Sequence, residues 1–372
     1  MSVEVTVNKR LKWIWPALRV LAALVLVLIV CLLLFPTGRY LLRAGCEEGK
    51  ILARRQPITA LAADPATPAA LRSKLALVLA ARAYAQDALG LETGQSFTSF
   101  SALDRDTLVL VLSGAYRDRL KSYTWWFPIV GRVPYKGYFD FDEARRQERE
   151  LSARGFDARL GGASAFSTLG WFNDPLLPTT LRADSLTLAN TVIHELTHNT
   201  FYAPGGAEFN ESFANFVGSR GAERFFRSRG QAKSADEVVA RWKDDRVMGR
   251  FWAELYARVD STFKAHPGDE PLRVAERIAL RDSLFVEARQ QLVHEIGPQL
   301  RTISLRTLER VRLNNAVLMS RRVYLTELDA FDGVLSRKGG DLARTITAIV
   351  AAAKSNKGDP FAAVRALAAA PR

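Results

Sequence analysis

Two histidines stand four residues apart in the segment His194-Glu195-Leu196-Thr197-His198. On a helix, positions i and i+4 share one face, so both imidazoles can bind the same ion. Glu195 lies beside the first histidine and can approach a water held by that ion. Only four histidines occur in the 372 residues, so half of them fall in this motif. The pattern therefore predicts a metal site on a helix.

A hydrolytic zinc site needs three protein ligands and one open position. Glu211 follows His198 across Pro204-Gly205-Gly206, at the start of the next predicted helix. A helix, a turn and an antiparallel helix would place this carboxylate opposite the histidines. We therefore predict Zn²⁺ bound by His194, His198 and Glu211, with Glu195 as general base.

Several nearby polar residues have open assignments. His266 and His294 are rival metal ligands, although the first precedes a Pro-Gly turn and the second lies in a distant helix. Asn215 lies four residues after Glu211 and either hydrogen-bonds a ligand histidine or is an exposed surface residue. Tyr324, Tyr202 and His294 are candidate donors to an oxyanion, and the sequence does not choose among them.

The sequence pattern of the segments that must position these residues predicts an α+β fold. This fold is predominantly helical with a small β-sheet. Strand-like segments lie between residues 105 and 170, and everything from Asp184 onward is helical in pattern. Asp184 or Ser185 can cap the metal-binding helix, and residues 234–237 form a capping box. The segment at 163–171 is either an edge strand that pairs with substrate or an interior strand. The expected organisation is an amino-terminal anchor (1–36), a helical segment (37–104), a mixed substrate-side region (105–182) and a helical catalytic region (183–372).

The amino terminus predicts a transmembrane helix over residues 20–35, extended by Trp13, Ile14, Trp15, Ala17 and Leu18. About 20 apolar residues cross a bilayer. Lys9, Arg10 and Lys12 precede the run and favour a cytoplasmic amino end. An uncleaved anchor is favoured, with lipidation at Cys46 or cleavage as alternatives.

The chain is basic, with 52 Lys and Arg against 39 Asp and Glu and a net charge of +13. These charges are spread along the chain and no nucleic-acid-binding signature accompanies them, so no nucleic acid is expected. Arginines after the apolar run face either lipid headgroups of the bilayer or solvent. Two cysteines exclude a disulfide scaffold and an all-cysteine metal cluster.

The histidine motif with Asn210-Glu211-x-x-Ala214 resembles the gluzincin arrangement of zinc metallopeptidases. More specifically, the chain resembles a bacterial family of "putative aminopeptidases" over about residues 40–335. The matching segments are Tyr40-Leu41-Leu42-x-Ala44-Gly45-Cys46, Arg54-Arg55-x-Pro57-Ile58, residues 127–140, residues 165–176, residues 209–214 and Leu313-Asn314-Asn315-Ala316.

This resemblance implies a zincin-like fold and hydrolysis of peptide or protein substrates at Zn²⁺. Combined with the predicted anchor, it implies a single-pass protein of a bacterial inner membrane with its catalytic part in the periplasm. The alternative is a catalytically idle, membrane-tethered binding or assembly protein that keeps zinc for structure. Retention of Glu195 favours the enzyme, because a structural site needs no base.

Overall fold

The structure is a computed structural model that describes residue 16 and residues 18–23, 26–27, 30, 33–103, 109–127, 131–162 and 175–369. These residues form a mostly helical α+β fold with small sheets. The helices are α1 Pro36–Ala53, α2 Ile58–Ala63, α3 Ala69–Leu89, α4 Phe141–Ala153, α5 Pro178–Leu181, α6 Ser185–Thr200, α7 Ala207–Ser228, α8 Ala232–Ala265, α9 Pro271–Gln291, α10 Leu305–Glu309, α11 Asn315–Leu325, α12 Leu328–Arg337, α13 Leu342–Ser355 and α14 Pro360–Ala369. The strands are β1 Arg55–Pro57, β2 Ser99–Ser101, β3 Leu110–Tyr116, β4 Ser122–Tyr123, β5 Trp125–Phe127, β6 Gly131–Val133, β7 Tyr135–Tyr138 and β8 Phe156–Gly162.

β3 is the central strand of a four-stranded antiparallel sheet. It pairs with β8 along one edge and with β7 and β4 along the other. In this register Ser113 lies opposite Tyr135 on β7 and opposite Arg159 on β8. Two-stranded ribbons, β1 with β2 and β5 with β6, complete the described β structure.

The two faces of the four-stranded sheet have different partners. Leu112 and Ala158 pack with Ala144 and Leu151 of α4 in one apolar cluster. Side chains alternate along a strand, so Asp157 of β8 faces the opposite side. Its carboxylate accepts a hydrogen bond of 2.8 Å from the backbone N–H of Asn315 at the start of α11. The second face of the sheet is thereby turned toward α11.

The main core surrounds α6 and α7. Leu188, Val192, Ile193 and Leu196 of α6 are fully buried in it, as their helical spacing predicts. Aromatic residues of α7 and α12 pack beside them, with the Phe216 and Phe331 rings stacked 5.5 Å apart. The Asp184 carboxylate accepts a 2.9 Å hydrogen bond from the Thr187 amide and caps α6. Helix α6 is therefore held rigidly from one side and at its start.

The predicted transmembrane helix over residues 20–35 is wrong. Among the described residues, no helix combines the length and the apolar character that a bilayer crossing requires. The first long described helix, α1, has 18 residues, but it carries five charged side chains, whose transfer into hydrocarbon is costly: Arg39, Arg43, Glu47, Glu48 and Lys50. The finding contradicts the predicted single-pass placement in a bacterial inner membrane as well. Parts of the predicted segment, including Trp13, Ile14, Trp15 and Ala17, lie outside the described residues.

Candidate metal centre

Helix α6 places His194 and His198 on one face, a single turn apart. Their Nε2 atoms lie 3.3 Å from each other, and the ring planes are nearly perpendicular at 83°. The side chains are 14% and 20% exposed, at the boundary between the core and solvent. The two ring nitrogens therefore converge on one point that is accessible from outside.

Glu211 reaches the same point from the first turns of α7. Its Oε2 lies 3.2 Å from Nε2 of His194, and its Oε1 lies 3.6 Å from Nε2 of His198. The turn before it is closed by Asn210, which is 2% exposed. The Asn210 side chain accepts a hydrogen bond from the Ala203 amide at 2.8 Å and donates one to the Ala203 carbonyl at 2.9 Å. Asn210 thus fixes where α7 begins and which residue faces α6.

These three side chains form a possible His-His-Glu metal site, with one ligand atom from each lying within 4.8 Å of the other two. Two zinc ligands at about 2.1 Å in a tetrahedral arrangement lie about 3.4 Å apart. Nε2 of His194 lies 3.2 Å from Oε2 of Glu211 and 3.3 Å from Nε2 of His198, which is close to that spacing, and Oε1 of Glu211 lies 3.6 Å from Nε2 of His198. Two imidazoles and one carboxylate are also the donor set of hydrolytic zinc sites. The residues present therefore fit a zinc ion.

The charges of this cluster shift its pKa values in opposite directions. Burial would raise the pKa of Glu211, but hydrogen bonds from His194 and His198 outweigh it and lower the pKa to about 2. Burial would lower the pKa of His198, whereas its hydrogen bond with Glu211 and the charges of Glu211 and Glu195 raise it above 6.5. Glu211 is thus ionised at every physiological pH, and His198 is the ligand whose protonation competes with a metal.

Zinc affinity is expected to fall as the pH decreases through the raised pKa of His198. A protonated imidazole cannot bind a metal, so each bound ion must displace that proton. The expected slope is about tenfold in affinity per pH unit below the pKa, with a plateau above it. Competition with a chelating dye between about pH 5.5 and 8.5 measures this. Affinity that stays constant over this range would contradict the inference that His198 is a ligand with a raised pKa.

Gly218 of α7 sets the distance between the two metal-binding helices. A Cβ at this position would lie 2.6 Å from Oδ1 of Asn190 and 3.1 Å from Cβ of His194. Beside it, the Asn190 side chain donates a 3.0 Å hydrogen bond to Oγ of Ser219. Gly221, one turn later, would bring a Cβ to 2.9 Å from Ile193. The absence of side chains here lets α7 approach α6 closely enough for Glu211 to meet the histidines.

Replacing Gly218 by Ala is expected to lower the free energy of unfolding by about 1–3 kcal/mol, because the added methyl overpacks the helix contact. It should also weaken zinc binding, since α7 must move away from His194. Urea unfolding and a zinc titration of the same preparation measure the two effects. Gly45→Ala in α1 is the matched control, as no atom lies within 4 Å of its Cβ position. An unchanged zinc affinity in Gly218→Ala would show that the close approach is not needed for the site.

Glu195 acts on the cluster electrostatically, and the charges of Glu195 and Glu211 act on Tyr324. The Glu195 charge contributes to the raised pKa of His198 and to that of Tyr324. Partial burial, followed by the charges of Glu211 and Glu195, raises the pKa of Tyr324 to about 12. The Tyr324 phenol, whose residue is 48% exposed, therefore keeps its proton and remains a hydrogen-bond donor.

Helix α7 also fixes the backbone around Tyr324. Asn215 donates a 3.2 Å hydrogen bond to the Tyr324 carbonyl. Oγ of Ser212 accepts one from the Thr326 amide at 3.0 Å. The same helix thus holds Glu211 and the end of α11. Asn215 serves this connection and also hydrogen-bonds Asp245, so the structure shows neither of the roles predicted for it.

The rival candidates lie apart from the cluster. His266 ends α8, with Nδ1 2.9 Å from the Thr262 carbonyl, and His294 lies in a helical turn at Leu292–Ile296. Tyr202 is 61% exposed in the turn after α6.

In the described part of the chain, Nδ1 of His198 is buried without a hydrogen-bond partner. The segment at 163–171, predicted as either an edge strand or an interior strand, lies outside the described residues.

Comparison with known proteins gives a family and no individual relative. No curated protein matches the chain, and no solved structure matches it either. The model of the family described as "Putative aminopeptidase" matches residues 39–361, which include every residue of the metal cluster. That stretch is far more than half of the 372 residues. The chain belongs to the family described as "Putative aminopeptidase".

Proposed function

We propose that the protein is a zinc-dependent peptidase that uses Glu195 as its general base. The observation that carries this proposal is the convergence of His194, His198 and Glu211 on one accessible point. The family description supports peptide hydrolysis. Next to the ligand His194, Glu195 adds a carboxylate that forms no hydrogen bond or ion pair among the described residues. A purely structural zinc site does not need such a group.

Zinc held by these three ligands would supply a positive charge and lower the pKa of a water to about 7. Glu195 accepts the proton of the attacking water and passes it to the leaving amine. The Tyr324 phenol, protonated because its pKa is about 12, donates a hydrogen bond to the oxygen that gains negative charge. Each of these groups belongs to α6, α7 or α11, whose packing holds it in place.

An extended substrate backbone would pair with the free edge of β8. In the described residues, β8 pairs along one edge with β3 alone, which leaves its other edge open. Main-chain hydrogen bonds at such an edge hold a peptide extended without regard to its side chains. β8 also carries Arg159, whose charge acts on Tyr324, so this edge belongs to the same side of the molecule as the metal centre.

A zinc assay paired with a peptide-library digest tests the proposed function. The purified protein should bind one zinc per chain and cleave peptides, and a chelator should stop cleavage until zinc is restored. Mass spectrometry of the products shows whether single amino-terminal residues are released, as the family description suggests. Stoichiometric zinc without chelator-sensitive cleavage would instead favour a binding protein with a structural zinc site.

Replacing Tyr324 by Phe is expected to lower kcat by about 10²-fold with little change in KM, because the lost donor acts mainly in the transition state. Zinc content should be unchanged, since the phenol is not a ligand. Steady-state kinetics on one peptide measures the effect. Tyr202→Phe is the matched control, because that phenol is exposed in the turn after α6. Equal losses in both variants would remove Tyr324 from the mechanism.

A further inference from the structure

A row of three side chains crosses the four-stranded sheet. Tyr135 on β7 and Arg159 on β8 both lie opposite Ser113 of β3. Residues directly opposite each other in an antiparallel sheet point to the same face. Asp157, two residues before Arg159, shares that face and hydrogen-bonds the start of α11. Arg159 therefore faces the side of the sheet that α11 covers.

The Arg159 side chain folds back along its own strand. A Cβ on Gly161 would lie only 3.3 Å from Nη2 of Arg159, so the guanidinium occupies the space that a larger residue would fill. Arg159 is partly buried. Within the described part of the chain, the Arg159 side chain forms no hydrogen bond or ion pair. Its donors thus remain available on the face that looks toward α11.

Arg321 joins Arg159 from α11. It lies three residues before Tyr324, so the two side chains share one face of that helix. Helix α11, where Arg321 is exposed, packs against β8, where Arg159 lies. The charge of Arg159 acts on Arg321. Arg159 also acts on Tyr324, where its positive charge opposes those of Glu211 and Glu195. Both arginines therefore flank the proposed oxyanion donor.

Asp245 is the acidic group whose charge acts on Arg321 itself. No ion pair within 4.0 Å joins the two residues in the described part of the chain. Burial and the neighbouring charge of Asp244 raise the pKa of Asp245 to about 7, so it is only partly ionised near neutral pH. Asp245 therefore compensates the charge of Arg321 only in part.

We propose that Arg159 and Arg321 bind a carboxylate of the substrate beside the metal centre. Guanidinium groups bind carboxylates through paired, charge-assisted hydrogen bonds. In the part of the chain that the structure describes, neither Arg159 nor Arg321 forms a side-chain hydrogen bond or ion pair. The carboxylate is either the carboxyl-terminal group of a short peptide or an Asp or Glu side chain near the scissile bond. This inference rests on the proposed peptidase function. It implies that recognition depends on a negative group of the substrate, in addition to any contact with its amino terminus.

Matched peptide pairs on the zinc-loaded full-length protein test the proposal. One pair differs in a carboxyl-terminal acid or amide, and the other in Glu or Gln beside the scissile bond. We expect Arg159→Gln and Arg321→Gln each to lower kcat/KM for the preferred acid by about tenfold or more, with less than about twofold change for its neutral partner. The pair that shows this dependence identifies the source of the carboxylate. Arg344→Gln on α13 is the control, because this arginine is exposed and pairs with Asp341.

Two further measurements keep a negative result interpretable. Thermal unfolding of each variant excludes loss of the fold, and Arg159→Lys should retain part of the acid preference, because it keeps the charge without the planar fork. Binding of the same peptides to Glu195→Gln protein is measured by calorimetry. Arginine-dependent binding of the acid without cleavage by the unmodified protein would reject the peptidase function and support the carboxylate site. Cleavage of acid and neutral peptides at equal rates would reject the carboxylate site and leave the peptidase function standing.

Discussion

Glu195→Gln protein is expected to keep its zinc and to lose peptide cleavage by about 10²–10⁴-fold in kcat. Glutamine has the same shape as glutamate, so the packing of α6 and the positions of His194 and His198 should not change. Only the ability to accept a proton is lost. Zinc content by elemental analysis and single-turnover cleavage of one peptide measure the two properties on the same preparation.

The sharpest control for this variant is a second Glu→Gln change away from the site. Glu237 of α8 is 46% exposed and pairs with Arg241, so Glu237→Gln should leave both zinc and kcat unchanged. Undiminished cleavage by Glu195→Gln protein would reject the general-base assignment. Loss of zinc would show that Glu195 acts on the ligands, and the kinetic result could then not be assigned to proton transfer.

The meeting of the histidines with Glu211 follows from local sequence. His194 and His198 are four residues apart on a helix whose cap, Asp184, and buried stripe are visible in the pattern. Glu211 is separated from them by one short turn, and a short turn between two helices leaves few ways to pack. The mostly helical α+β character follows from periodicity for the same reason. What the sequence predicts here are contacts between neighbouring elements.

Interactions between distant segments were not predictable in this way. Arg159 and Arg321 are more than 160 residues apart in the sequence, and the elements that carry them come together because α11 begins over Asp157 of β8. The role of Gly218 is also tertiary, since only the packed helices show which atoms a side chain would strike. A glycine in the middle of a helix costs about 1 kcal/mol relative to alanine, so its presence was a signal that could have been used.

Local signals also failed where the chain had other constraints. The capping box at 234–237 predicted a helix start there, but α8 begins at Ala232. Gly230 adopts a positive φ of 70°, and the Gln231 amide donates to the Phe226 carbonyl. The chain therefore reverses and starts the next helix before Ser234. The transmembrane prediction rested on apolar content counted along the sequence, whereas no helix among the described residues is both long and apolar enough to cross a bilayer.

Replacing Glu211 by Ala is expected to weaken zinc binding by more than about 10²-fold and to abolish zinc-dependent cleavage. Losses of 10–100-fold are typical when a residue that only orients a ligand is removed, and Glu211 is placed as a ligand itself. Zinc titration and cleavage assays measure the loss. Glu208→Ala is the control, since Glu208 lies three residues earlier on α7 and pairs with Arg322.

The zinc-free protein supplies an independent measure of the same contact. Without Glu211, burial should dominate and the pKa of His198 should fall, because the hydrogen bond and charge that raise it are gone. An NMR titration of His198 in the unmodified and Glu211→Ala proteins, both without metal, follows this shift. A normal zinc affinity together with an unshifted His198 would mean that another group completes the coordination sphere. A lowered pKa with unchanged zinc affinity would confirm the contact and reject Glu211 as a ligand, so the two readings separate packing from coordination.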